Sequence, residues 1–130
     1  MTRNLVLLVV LIIGLVFSGC SGAVRDMGLL QGYVNIGPLS PVETPGETPP
    51  VPCEVYEARK IMVYDENGRN LVKQVDIECG GRYRVELEPG AYTVDINNIG
   101  IDSSSDVPEK IEIKPGLTFR LDIDIDTGIR

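Results

Sequence analysis

Residues 117–126 read Leu117-Thr118-Phe119-Arg120-Leu121-Asp122-Ile123-Asp124-Ile125-Asp126, and their strict alternation decides the fold class. Successive side chains of an extended strand point to opposite faces of a sheet. Leu117, Phe119, Leu121, Ile123 and Ile125 are therefore expected to face a core, and Thr118, Arg120, Asp122, Asp124 and Asp126 to face water. The same period places Tyr83, Val85, Leu87, Tyr92, Val94 and Ile96 inside, with Arg82, Arg84, Glu86 and Glu88 outside. No window sustains the i, i+3, i+4, i+7 spacing of an amphipathic helix, so the folded part is expected to be all β.

Working outward, the strand candidates are Leu30 to Ile36, Ala58 to Asp65, Asn70 to Glu78, Arg82 to Glu88, Ala91 to Asn97, Pro108 to Lys114 and Leu117 to Asp126. Seven strands suit an antiparallel β-sandwich. Asn67-Gly68, Pro89-Gly90 and Lys114-Pro115-Gly116 carry turn chemistry, a fixed φ or a residue that tolerates positive φ, and such short joints imply antiparallel neighbours. Between the first two strands lies Gly37 to Pro52, with prolines at 38, 41, 45, 49, 50 and 52. Proline at that density removes ladder donors and favours polyproline II, so this segment is expected to be a long surface loop. A second loop, Gly100 to Val107, is polar and expected to be mobile. No repeat of 20 to 50 residues is present.

The stretch Gly81-Arg82-Tyr83-Arg84-Val85-Glu86-Leu87-Glu88-Pro89-Gly90-Ala91-Tyr92-Thr93-Val94 resembles the signature of transthyretin-like, carboxypeptidase-regulatory-like (prealbumin-like) domains, G-x-Y-x-V-x-L-x-P-G-x-Y-x-V. Ile61 to Gly68 is similar to the same family's upstream strand and turn. The resemblance implies a seven-stranded sandwich and does not fix a task, because that fold hosts carriers, adhesins and enzymes alike. Two specialised activities of such relatives find no counterpart in the residues. Hydrolysis of 5-hydroxyisourate depends on histidines and a C-terminal tetrapeptide, whereas this chain has no histidine and ends Asp126-Thr127-Gly128-Ile129-Arg130. The isopeptide bond of collagen-adhesin B-type repeats joins a first-strand lysine to a last-strand asparagine, and here the first strand has no lysine and the last no asparagine.

At the other end, a basic start leads into a thirteen-residue apolar run, Leu5 to Phe17, followed by Ser18-Gly19-Cys20. A signal-peptide core holds about 7–15 apolar residues and a membrane-spanning helix needs roughly 20, so the run has the length of a cleaved signal. Phe17-Ser18-Gly19-Cys20 is similar to the lipobox of bacterial lipoproteins, which implies cleavage before Cys20 and lipidation of its thiol. The competing reading is an uncleaved anchor from Leu5 through Ala23. The expected organisation is a signal peptide at 1–19, a tether at 20–28 and a β-domain at 29–130, held to the envelope by lipid outside the cytoplasm. In a host with two membranes, Ser21 after the cysteine fits sorting to the outer one.

Removing residues 1–19 takes away Arg3 and leaves eleven basic and nineteen acidic side chains, a net charge near −8. Such a surface repels nucleic-acid phosphates, and no basic cluster is visible in the sequence, so no nucleic-acid partner is expected. The lack of histidine removes the commonest general base and metal ligand, so neither catalysis, cofactor nor metal is expected. The carboxylates that remain for such work are Asp122, Asp124, Asp126 and Glu109. Aspartates on one strand face stand about 6.5–7 Å apart, too far to chelate one ion snugly, and read as a solvated edge balanced by Arg82 and Arg84. A weak cation site completed by Asp102 and Asp106 is the alternative. Tyr33, Tyr56, Tyr64 and the proline loop are the candidate recognition patch for an envelope protein or polysaccharide, against a plain role in shielding the sheet edge. Cys53 and Cys79 are an even pair in an oxidising compartment and are expected to form a disulfide, the alternative being a buried free thiol at Cys79.

Overall fold

The computed structural model describes residues 26–41, 46 and 50–129; the signal segment, Cys20 and most of the tether lie outside the described residues. Eight strands and one short helix succeed one another as β1 (Gly28–Gly37), α1 (Cys53–Glu57), β2 (Lys60–Asp65), β3 (Leu71–Asp76), β4 (Arg82–Leu87), β5 (Gly90–Ile96), β6 (Glu109–Ile113), β7 (Thr118–Arg120) and β8 (Ile123–Asp126). They form two four-stranded sheets. One has the order β3-β2-β5-β6 and is antiparallel throughout. In the other, β1 lies at the centre, antiparallel to β4 on one side and parallel to β7 and β8 on the other.

The single last strand is two, because the ladder is broken at Leu121-Asp122, which raises the count from seven to eight. The sandwich is not wholly antiparallel, since β7 and β8 both run parallel to β1. Of the three turn-like joints, only Asn67-Gly68 connects hydrogen-bonded neighbours. Pro89-Gly90 and Lys114-Pro115-Gly116 carry the chain from one sheet to the other. In the β2–β3 hairpin, Gly68 takes positive φ and its N–H donates to the Asp65 carbonyl at 2.9 Å. The Asp65 carboxylate accepts from the Asn70 amide at 2.7 Å and the Arg69 N–H at 3.0 Å, and these bonds hold its pKa below the ordinary carboxylate range. The hairpin returns with an irregularity at Val63/Tyr64, where Val72 has no partner. Leu71 and Val72 are consequently both half exposed on an edge strand. Such irregularities discourage edge pairing with other chains.

The core lies between the sheets. Leu30, Val34, Tyr83, Leu87 and Ile123 from one sheet meet Ile61, Val63, Val94 and Ile113 from the other, each no more than 2% exposed. Full burial of such aliphatic side chains contributes about 1.5–3 kcal/mol apiece, so this layer is the main source of stability. The alternation expected of Tyr83, Leu87, Val94 and Ile96 is observed, with Val85 and Tyr92 partly buried beside them. Leu117 is the exception, 58% exposed in the joint before β7.

The polar loop at 100–107 is fastened, contrary to expectation. Asp102, whose side chain is 4% exposed, accepts from Arg59 Nε at 2.7 Å and from its second terminal nitrogen at 3.2 Å, while Arg59 also donates to the Val55 carbonyl of α1. Ser103 and Asp126 exchange two backbone hydrogen bonds, and the Asp106 carboxylate accepts the Asp124 N–H at 2.8 Å. The loop thereby occupies the outer edge of β8, which would otherwise present unpaired groups. Asp102 and Asp106 are thus committed to other partners, and no group of acids able to hold a metal ion occurs among the described residues.

Cys53 and Cys79 are joined, with Cα atoms 4.8 Å apart. The bond ties the start of α1 to the segment between β3 and β4, and so fastens the far end of the proline loop. At its near end, Thr127 donates its hydroxyl to the Pro38 carbonyl and its N–H to Gly37.

Candidate functional site

The break between β7 and β8 shapes the outer face of the mixed sheet. Leu29 through Gln31 pair with Thr118 through Arg120, and Val34 through Gly37 with Ile123 through Asp126, so one register runs through both strands. In an uninterrupted parallel ladder the Tyr33 N–H would donate to the Leu121 carbonyl. That carbonyl instead accepts the hydroxyl of buried Tyr83 and presses on Gly32, where a Cβ would sit 1.9 Å from it. Only glycine fits opposite so close a carbonyl. The Tyr33 N–H takes the Asp122 carboxylate at 3.0 Å in compensation. Burial, then the nearby charge of Asp122, raises the pKa of the Tyr83 hydroxyl well above that of an ordinary tyrosine, so it stays a donor.

Around this break the register brings together side chains far apart in sequence. Tyr33 lies beside Arg82, and Gln31 lies between Arg84 on β4 and Arg120 on β7. Tyr33 is 50% exposed, and the Arg120 guanidinium stands 5.9 Å from its ring centroid, within cation–π range. Gln31, Gly32, Tyr33, Arg82, Tyr83 and Arg120 line a shallow depression of about 240 Å³. Arg120 pairs with Asp122 at 3.1 Å, whereas neither Arg82 nor Arg84 pairs with an acid among the described residues. The expected balance of the aspartate row by Arg82 and Arg84 is therefore not what forms. Asp122 takes Arg120, Asp124 accepts from Asn35 Nδ2 at 2.9 Å, and Asp126 caps the Gly128 N–H at 2.8 Å. Glu109 belongs to the other sheet, so these four carboxylates do not assemble into one site.

The three candidate tyrosines do not form one patch. Tyr33 faces outward on the mixed sheet, Tyr64 is half-buried on the antiparallel sheet, and Tyr56, expected to be exposed, is 6% exposed in the core under α1. Sequence reasoning missed Gln31 and Arg120, and with them the basic cluster that the composition hid. Alternation already puts Arg82, Arg84 and Arg120 outside, but only the topology, β4 and β7 flanking β1, places them together.

The Tyr33 N–H first, and then Arg120, hold the Asp122 carboxyl below its ordinary range. A depressed folded-state value means that the stabilisation is fully present above the unfolded value near 3.9 and is lost as pH falls through the folded one. The side chain is 52% exposed, so screening keeps the charge effect below about 1 kcal/mol. Asp122→Asn, whose amide oxygen can still accept the Tyr33 N–H, is expected to be less stable than the parent at pH 6 and to converge with it by about pH 2. Urea unfolding across that range checks this, and a gap independent of pH would contradict it.

No protein-family model matches the chain, and no curated protein does. Among solved structures it is similar to the minor pilin GBS52 of the gram-positive pathogen Streptococcus agalactiae, with a TM-score of 0.51 and 14% identity over 78% of this chain and 45% of that one. It is also similar to the TIE protein of Bacillus anthracis, at 0.49 and 17% over 78% and 16%, and to a DUF3823 family protein from Parabacteroides merdae, at 0.48 and 13% over 78% and 46%. The chain spans less than half the length of each. At such identity the likeness to the pilin is one of fold, a β-sandwich.

Proposed function

We propose that this chain is a lipid-anchored module of the bacterial cell envelope, a transthyretin-like sandwich that binds or braces outside the cytoplasm and does not catalyse. The observation that carries this reading is the Cys53–Cys79 disulfide, which is independent of the N-terminal sequence. Disulfides persist in oxidising compartments and are rare in the cytosol, so the folded domain and the export signal point to the same side of the membrane. The shared fold with a minor pilin fits a surface location.

An acyl chain contributes about 0.8 kcal/mol per buried methylene, so two or three chains on Cys20 hold a domain of this size on a bilayer. Expression of the full chain in a bacterium that processes lipoproteins, followed by detergent phase partitioning, tests the reading. The parent is expected in the detergent phase, and Cys20→Ala in the aqueous exported fraction or retained as unprocessed precursor. Equal partitioning of both forms with the signal segment intact would instead support a spanning anchor.

A further inference from the structure

We propose that the outer face of the mixed sheet is a binding platform for an acidic polysaccharide, a polymer of carboxylate-bearing pyranose sugars, with Tyr33, held by Arg120, as the stacking group and Arg82 and Arg84 as the carboxylate readers. The inference goes beyond the envelope reading and rests on it only in that such polymers are met outside the cytoplasm.

The chain carries a net −7, yet three of its eight arginines meet on one face around Gln31 and Tyr33. Arginines 82 and 84 have no acidic partner among the described residues. A planar guanidinium binds a carboxylate through two parallel hydrogen bonds, which fixes orientation as well as charge. Tyr33 keeps half its surface in solvent, and an aromatic ring flanked by planar polar groups suits the C–H face of a pyranose, with Gln31 able to donate to and accept from hydroxyls. Arg82–Tyr33 and Arg84–Gln31–Arg120 form two cross-strand rows two residues apart along the strands, about 6.5–7 Å, a spacing on the order of one sugar ring. The platform ends at Asp122 and Asp124, which repel a second closely spaced anion and provide acceptors for hydroxyls. This arrangement favours sparse carboxylates on sugar rings over a dense phosphate chain, which would meet that acidic border and the overall negative field.

Affinity electrophoresis of the full-length chain in detergent micelles tests the proposal, with polygalacturonate, neutral dextran and inorganic polyphosphate as probes. Retardation by polygalacturonate is expected, weakening with added salt as charge pairs are screened. Tyr33→Ala, and Arg82→Gln with Arg84→Gln, are expected to weaken it roughly tenfold or more, while Lys73→Gln on the other sheet, a change of the same kind of charge, leaves it unaltered. These side chains are exposed, and melting temperatures confirm that the variants fold. Should Tyr33→Ala fail to fold, Tyr33→Phe is expected to bind as the parent does, and the arginine variants decide. Equal retardation by dextran, equal retardation by polyphosphate, no retardation by any polymer, or indifference to Arg82 and Arg84 each overturns the proposal. The acyl mass of the same preparation reports separately on the anchor, so failure of one reading is distinguishable from failure of the other.

Discussion

Asp102→Ala is expected to cost about 3 kcal/mol of stability, because it leaves the Arg59 guanidinium charged, nearly enclosed and without its carboxylate. The two side chains are 11% and 4% exposed and meet through two hydrogen bonds, unlike the solvated Arg120–Asp122 pair. The effect reaches further than the pair. The loop fastened by Asp102 also carries Ser103 and Asp106, which occupy the β8 edge, so the variant is expected to expose that edge and to associate more readily. Adding Arg59→Met removes the orphaned charge and is expected to recover part of the loss. Chemical denaturation of the single and double variants checks this, and a double variant less stable than the sum of its singles would contradict it.

A loss of similar size is expected when the disulfide is removed. Cys53 and Cys79 are separated by 26 positions, and closing a loop of that length in the unfolded chain corresponds to about 3.5 kcal/mol in the chain-entropy model. For a domain near 100 residues, Cys53→Ser with Cys79→Ser should lower the melting temperature by roughly 15–25 °C. A small domain holds only about 5–15 kcal/mol in total, so the bond is a major share of the whole. It also anchors α1, which lays Tyr56 into the core and presents the Val55 carbonyl to Arg59. Calorimetry of the double variant is the measurement, and a melting temperature equal to the parent's would show the bond dispensable.

These two fastenings mark where the sequence was legible and where it was not. The alternation of 117–126 reads correctly as extended chain in a single register, because period-two patterning is a local property of the strand. The break at Leu121-Asp122 is invisible there, since Asp122 resembles every other outward carboxylate. Its special role arises when the Tyr83 hydroxyl, some 38 residues away, claims the Leu121 carbonyl. Pro89-Gly90 has the chemistry of a turn, and local chemistry does not say whether the next strand returns beside its predecessor or crosses to the opposite sheet. The helix at Cys53–Glu57 spans barely more than a turn, too short for a periodic signal, and so Tyr56 reads as a surface residue although it lies in the core. Loop 100–107 reads as free because its composition is polar, while its anchor, Arg59, lies 43 positions earlier. The candidate site was half legible. Alternation identifies Tyr33, Arg82, Arg84 and Arg120 as outward groups, but their convergence depends on β1 having β4 and β7 as its two neighbours.

Lipidation at Cys20 is tested by the intact mass of the protein isolated from the membranes of a lipoprotein-processing bacterium. The expected species is a chain beginning at Cys20, heavier than residues 20–130 by the mass of two or three acyl chains with their glycerol. A mass equal to the unprocessed 1–130 chain, or to a processed chain without lipid, would contradict it.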